Sequence, residues 1–235
     1  MSPPERLSPV CILAGGLGSR LGDAVADTPK PLIEVAGEPF LFHQLRLLRS
    51  HGAHRVVLCV GYLGERIEAT VGPDRFGLEI RYVYDSPQLD GTAGAVRGAL
   101  PLLGDTFHVL YGDTYLRIDY ADVERTFRAS GRPALMTVLR NRGQWDTSNV
   151  RFDGRRILAY DKHEPAPDME WIDYGLAVMR PEALDAAGAQ EPDLAAVYTA
   201  LAREDRLAGY EATERFYEIG TPAALAETAA FLSSA

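Results

Sequence analysis

The sequence predicts an α/β fold: a Rossmann-like, doubly wound, mixed but mostly parallel sheet flanked by helices, with a small antiparallel extension. Three observations carry that expectation. Short apolar runs alternate with helical stretches through the first half of the chain. The first run, Val10–Leu13, stops abruptly at a glycine-rich loop, Ala14-Gly15-Gly16-Leu17-Gly18-Ser19-Arg20. The second half changes to closely spaced strand patterns, with Asp153-Gly154 as a hairpin signal between two of them.

In order, the apolar runs predict strands at Val10–Leu13, Val56–Val60, Ile80–Tyr84 and Phe107–Tyr111. Helical patterns fall between them at Pro39–His51, Leu63–Val71 and Thr92–Leu103, and again at Ala121–Ala129. Pro39 suits a first helical turn, Gly52 suits the stop, and Ser130-Gly131 ends the last of these helices. The second half predicts strands at Ala134–Leu139, Asn149–Phe152, Arg156–Tyr160 and Trp171–Met179. Helices return at Pro181–Ala187, Asp193–Glu204 and Pro222–Leu232. No glycine/serine linker and no repeat divides the chain. It therefore reads as a single domain over 1–235, with a nucleotide-binding half (1–130) and a substrate-binding half (131–235).

The 235 residues carry a net charge of −9, and 46% are hydrophobic. An acidic chain lacks the broad basic field that steers nucleic acids or anionic membranes, so neither is expected as a partner. No apolar run approaches the ~20 residues that span a bilayer. The opening Met-Ser-Pro-Pro-Glu-Arg lacks the basic region and apolar core of a signal peptide. Cys11 and Cys59 both sit in apolar strand patterns and read as core packing in a reducing cytoplasm, not as a disulfide or metal pair. The expected location is cytoplasmic. The oligomeric state stays open, a homo-oligomer included.

A phosphate site must then be built locally, and the glycine loop is suited to it. Gly15, Gly16 and Gly18 remove side chains where a backbone must turn or approach something closely. Successive N–H groups in such a loop can form an anion-binding concavity. Arg20 and Lys30 add positive charge beside it, with Lys30 held between Pro29 and Pro31. Of 24 basic residues only Lys30 and Lys162 are lysines. An ammonium is a compact point charge where guanidinium is a wide fork, so two retained lysines mark sites where the fork does not serve. The loop matches neither the third glycine of a dinucleotide fingerprint nor a P-loop. Asp113 follows the apolar strand Phe107–Tyr111, at the carboxyl end where open α/β sheets bind ligands.

Leu13-Ala-Gly-Gly-Leu-Gly-Ser-Arg20-Leu followed by Thr28-Pro-Lys30-Pro-Leu resembles the opening of the sugar-1-phosphate nucleotidyltransferases. The resemblance continues in order through Gly61-Tyr62, Gly91-Thr-Ala-Gly94, Tyr111-Gly112-Asp113, Tyr160-Asp161-Lys162 and Ile219-Gly220-Thr221-Pro222. It implies a GT-A-like fold, an EC 2.7.7-type activity, and Mg²⁺ as cofactor. The substrates it implies are a nucleoside triphosphate and a sugar 1-phosphate, which give a nucleotide-sugar and pyrophosphate. Leu13, Ala14, Gly15, Gly16, Gly18, Ser19, Arg20, Gly91 and Thr92 are then the nucleotide-binding residues. Arg20, Lys30 and Asp113 carry catalysis. Asp113 and Glu218 hold the metal, with Glu218 standing where the family usually has aspartate.

Lys162 is implied on the acceptor phosphate. Asp90, Asn149, Asp173 and Gly175 complete the sugar side, where this chain departs most from the pattern. Leu89-Asp90 replaces Pro-Leu, Ser148-Asn149-Val150 replaces Tyr-Gly-Val, and Asp173-Tyr174-Gly175 replaces Asn-x-Gly. The compact length and Gly37-Glu-Pro-Phe40 most resemble heptose- or mannose-1-phosphate guanylyltransferases, which puts GTP first as donor. Uridylyl, thymidylyl or cytidylyl transfer to another sugar phosphate remains open. So does transfer to phosphocholine, for which Trp145 and Trp171 would supply aromatic walls. A non-catalytic nucleotide-sugar-binding regulatory protein is the non-enzymatic alternative.

Overall fold

In the computed structural model, residues 6–16, 28–85 and 91–234 are described. The first half builds β1 (Val10–Leu13), the small hairpin β2 (Glu34–Val35) and β3 (Glu38–Pro39), and α1 (Phe40–Ser50). It continues through β4 (Arg55–Val60), α2 (Gly64–Val71), β5 (Asp74–Arg75), β6 (Leu78–Tyr84) and α3 (Gly91–Leu103). β7 (Phe107–Tyr111), β8 (Thr114–Tyr115) and α4 (Tyr120–Ser130) complete it. The second half builds β9 (Ala134–Arg140), β10 (Val150–Phe152), β11 (Ile157–Tyr160), β12 (Trp171–Met179) and α5 (Leu194–Arg203). β13 (Leu207–Ala212), β14 (Tyr217–Glu218) and α6 (Pro222–Ser234) end the chain.

Four parallel strands form the middle of one ten-stranded mixed sheet, in the order β6-β4-β1-β7. The apolar runs are continuous because both faces of these strands are covered. Val10 and Ile12 of β1 pack into one layer with residues of α1, α2 and α4, while Cys11 packs into the other with α3 and α5. The six flanking helices and mixed sheet agree with the predicted class. Antiparallel pairing enters through β12, which joins β7 on one side and β9 on the other, so the sheet runs through both halves of the chain.

Local chemistry sets the element ends. Asp119 accepts the Asp122 N–H at 3.0 Å to start α4, and Gly131 ends it in the left-handed region at φ 65°. Gly154 turns the β10–β11 hairpin at φ 95°. The stretch expected as a helix from Pro181 is a short 3₁₀ turn, Pro181–Asp185. β13 and the two-residue strands are additions to the expected elements. Cys11 and Cys59 are both free and buried on adjacent strands, with sulfurs 3.4 Å apart. Among the described residues, no helix is long and apolar enough to cross a membrane.

Candidate active site

The chain runs from β1 to β4 and β6 on one side, then returns to β7 on the other. That reversal opens a crevice at the carboxyl ends of β1 and β7, the place where open α/β sheets take ligands. A cavity of about 330 Å³ lies there. Its floor is Leu13, Ala14, Gly15 and Gly16 from the end of β1, and Tyr111, Gly112 and Asp113 from the end of β7. Gly91, Thr92 and Ala95 of α3, Cys59, Asp85, Lys30 and Pro31 close it. Ala14 N–H donates to the Cys59 carbonyl at 2.8 Å and Gly112 N–H to the Leu13 carbonyl at 2.9 Å, so the loop is pinned to both neighbouring strands.

The charged end is the Lys30–Asp113 pair. Lys30 projects from a 3₁₀ turn, Lys30–Leu32, whose geometry Pro29 and Pro31 preset. Its Nζ lies 2.6 Å from Asp113 Oδ2, with both side chains largely shielded from solvent. Gln44, buried in α1, donates to the carbonyls of Tyr111 at 3.1 Å and Thr114 at 2.6 Å and so fixes the loop that carries Asp113. Glu218 comes to the same place through pairing of β14 with β8, where Glu218 sits opposite Thr114. Thr228 of α6 donates to the Glu218 carbonyl at 2.7 Å. A Cβ on Gly220 would lie 2.6 Å from Glu218 Oε2 and 3.4 Å from Lys30 Nζ, so these two charged ends converge on one point.

Two carboxylates, Asp113 in the turn between β7 and β8 and Glu218 on the neighbouring β14, form a hard-oxygen donor set. Mg²⁺ takes one or two carboxylates and fills its remaining positions with water and substrate phosphate, so Asp113 and Glu218 fit it. Among the described residues no group of three or more His, Cys, Asp or Glu offers an all-protein cage.

The glycines of the loop have different tasks. A Cβ on Gly15 would stand 2.6 Å from Asp85 Oδ2, and one on Gly61 would stand 2.5 Å from it. Both make room for the Asp85 carboxylate, a cavity residue that no sequence motif singles out. A Cβ on Gly16 would meet nothing within 4 Å. Gly18, Ser19, Arg20 and Asp90 lie outside the described residues.

Gly91 adopts φ +64°, and a Cβ there would lie 2.4 Å from the Pro192 carbonyl oxygen. Thr92 Oγ1 donates to Asp193 Oδ1 at 3.0 Å and accepts the Leu194 N–H at 2.9 Å. The hydroxyl thus ties the start of α3 to the start of α5, leaving the backbone of Gly91 and Thr92 to face the cavity.

The acceptor-side candidates lie on and beside β10, β11 and β12. Asn149 Oδ1 accepts the Asp173 N–H at 3.2 Å, and the Asn149 carbonyl accepts the Asp161 N–H at 3.0 Å beside Lys162. Asp173 Oδ1 accepts the Gly175 N–H at 2.9 Å, where the β9–β12 register shifts and Gly175 turns at φ +96°. Burial pushes the Asp173 carboxyl up to about 6, against the pull of the Gly175 N–H and the Lys162 charge. Lys162 itself is exposed and lines a groove with Asp193. Trp171 and Trp145 lie on this side too, but Trp171 donates to Glu211 and Trp145 stacks on Arg215 at 4.1 Å. Their rings are therefore engaged away from the cavity.

A family model for a MobA-like NTP transferase domain matches residues 10–221. The chain belongs to that family. Within it, the chain is 32% identical over 231 residues to the N-acetylmuramate alpha-1-phosphate uridylyltransferase of Neisseria meningitidis serogroup B, covering 93% of this chain and 96% of that protein. It is 41% identical over 159 residues to the CMP-5'-(3-aminopropyl)phosphonate synthase of Streptomyces rubellomurinus, covering 64% of this chain and 25% of that protein. The fold also matches the structure of HddC from Yersinia pseudotuberculosis complexed with GMP-PN, with a TM-score of 0.75 at 21% identity over 96% of this chain and 100% of that one. The chain spans about half the length of the first curated relatives it matches, which are sugar-1-phosphate guanylyl- and thymidylyltransferases. The resemblance drawn from the glycine loop and the motifs after it is borne out at the level of the family.

Proposed function

We propose that this chain condenses a nucleoside triphosphate with a sugar 1-phosphate to give a nucleotide-sugar and pyrophosphate. The Lys30–Asp113 pair at the mouth of the switch-point cavity carries this reading. An oxygen of the acceptor phosphate attacks the α-phosphorus, a new P–O bond forms, and the bond to the bridging oxygen breaks. Pyrophosphate leaves. The attacking oxygen is already anionic, so no general base is required. The obstacle is bringing two polyanions together, and positioning with charge neutralisation overcomes it.

The N–H groups of the glycine loop after Ala14, with Ser19 and Arg20, hold the departing pyrophosphate, and Leu13 and Ala14 border the nucleotide. Lys30 neutralises charge at the α-phosphate. Asp113 and Glu218 would hold Mg²⁺, which when bound screens the phosphate oxygens. Gly91 and Thr92 border the nucleoside, Lys162 takes the acceptor phosphate, and Asn149, Asp173, Gly175 and Asp90 face the rest of the acceptor. The halves 1–130 and 131–235 then act as one unit around a single site. GTP with mannose or heptose 1-phosphate heads the pairs to assay, and the phosphonate relative adds an aminoalkyl phosphonate to the acceptor panel. Reduced Cys11 and Cys59 suit a cytoplasmic setting.

Pyrophosphate release with each of the four ribonucleoside triphosphates and with dTTP, against that panel and with Mg²⁺ present, tests the reading. Release that requires both substrates supports it. Absence of release with every pair overturns it.

A further inference from the structure

The loop between the Pro181–Asp185 turn and α5 is held from outside. None of residues 185–193 is buried. The backbone bonds within it are local: Gly188 N–H donates to the Asp185 carbonyl at 3.0 Å, and Glu191 N–H to the Gly188 carbonyl at 3.1 Å. Among the described residues its long-range hydrogen bonds all run to α3. Arg97 Nη2 donates to the Leu184 carbonyl at 2.7 Å and the Gly188 carbonyl at 3.1 Å, and Nη1 donates to the Glu191 carbonyl. Ala93 N–H, one of the donors that a first helical turn leaves unpaired, donates to the Pro192 carbonyl at 2.8 Å. Thr92 Oγ1 takes up Asp193 as described above. The Arg97 guanidinium thus spends itself on three carbonyls at one end of the loop and along it, with its Nε buried and unpaired.

The two sides of this tie face different spaces. Gly91, Thr92 and Ala95 of α3 wall the switch-point cavity, while Ala187, Glu191 and Asp193 of the loop wall the groove that holds Lys162. The spaces meet at the Thr92–Asp193 hydrogen bond. Arg97 lines neither of them. α3 is fixed without the loop, because Ala93, Val96, Ala99 and Leu103 bury its inner face in the core. The loop has no such anchor between Leu184 and Leu194. Cutting the tie therefore releases the groove wall and leaves the cavity wall in place. A guanidinium suits the task, since its planar fork carries several donors at fixed separation and each bond is charge-assisted. Given nucleotidyl transfer as the reaction, with the acceptor phosphate on Lys162, on which the inference rests, we propose that Arg97 is a positioning residue for the acceptor. It holds the wall of the Lys162 groove in register with the nucleotide cavity, so that the acceptor phosphate arrives beside the α-phosphorus.

Arg97→Met keeps the apolar stem and removes the donors. Kinetics on the full chain, with each substrate of its best pair varied in turn, compares it with the native protein. The acceptor kcat/KM is expected to fall about tenfold to a hundredfold, the cost of a misplaced reactant, while the triphosphate KM stays within about twofold. Amide exchange is expected to quicken over residues 185–193 and to hold across α3. Arg97→Lys keeps the charge but gathers its donors at one point, so it is expected to recover only part of the loss. If R97M does not fold, R97K decides alone by the same split between the two substrates. A triphosphate KM that rises as much as the acceptor KM would overturn the proposal, as would an acceptor kcat/KM within about twofold of native in R97M. Full recovery in R97K would also overturn it, because charge and not position would then be the cause. If the native chain turns over no pair, nucleotidyl transfer itself fails. Calorimetric titration with mannose 1-phosphate then decides separately: weaker binding by R97M supports the proposal, and equal or absent binding overturns it.

Discussion

Lys30 and Asp113 are a pair before they are anything else. At 2.6 Å each satisfies the other, so the protein alone holds in register two groups that substrate and metal would later share. Removing Lys30 takes away a positioned positive charge, and Lys30→Ala is expected to lower kcat about 10²- to 10³-fold, the cost of losing one preorganised electrostatic contact. Asp113→Ala is expected to leave under about 1% of turnover, because it would strip the proposed metal carboxylate and free Lys30 together. Lys162 is exposed in the groove it shares with Asp193, and as the proposed holder of the acceptor phosphate its change to alanine should raise the acceptor KM about tenfold with a smaller change in kcat. Steady-state kinetics with both substrates varied separates the three, and near-normal turnover in D113A would sink the metal assignment. At this scale the sequence exposed what composition makes rare. Two lysines among arginines and one aspartate after a strand stood out. Asp85 did not, because only the folded chain shows that Gly15 and Gly61 are small to admit it. Gln44 was equally silent, since a buried amide in α1 looks like any polar residue until its two carbonyl partners are known.

Elements that follow from local pattern were legible, and those made by pairing were not. β8 and β14 have two residues each and exist because they meet, so no periodicity announces them. β13 was hidden by Gly209, which lowers strand propensity, yet a Cβ there would strike the Phe152 ring at 2.3 Å. The start of α3 is the element junction most open to test. Gly91 needs a positive φ and must clear the Pro192 carbonyl, while Thr92 joins α3 to α5 through Asp193. Gly91→Ala is expected to cost about 1 to 3 kcal/mol in urea unfolding, from backbone strain and collision with a backbone atom. Thr92→Val should cost about 1 kcal/mol or more by leaving the Leu194 N–H unpaired. Combining Thr92→Val with Asp193→Ala should cost less than the two separately, because they break one shared contact. Additive losses would show that the contact does not link the helices.

The whole molecule hangs on the middle of the sheet, and one buried group there makes its stability depend on pH. His108 lies on β7, fully buried, with neither ring nitrogen hydrogen-bonded and Glu124 of α4 at 3.8 Å. Burial holds the imidazole pKa below its ordinary value, with Glu124 opposing, so the native ring stays neutral where the unfolded ring takes a proton. Between those two pKa values the unfolded state binds more protons, and stability therefore falls as pH falls below about 6.5, by up to ~1.4 kcal/mol per pH unit, until the native ring also protonates. Glu124 acts the same way at lower pH. Burial alone would raise its carboxyl pKa, but hydrogen bonds from Ser8 and Arg128 outweigh that and hold it below the ordinary value. Its contribution is therefore lost as pH falls through that depressed pKa. His108→Leu replaces the ring with an apolar side chain and removes the His108 proton from the balance. Urea midpoints measured from pH 7.5 to 5.5 should fall more steeply in the native sequence than in the variant, with His51, also held low by burial, adding to the slope in both and Asp173, raised to about 6 by burial, opposing it in both. Equal slopes in the two proteins would mean that His108 binds its proton equally well folded and unfolded, and a steeper fall in the variant would mean that the ring is protonated in the fold and paired with Glu124 at 3.8 Å.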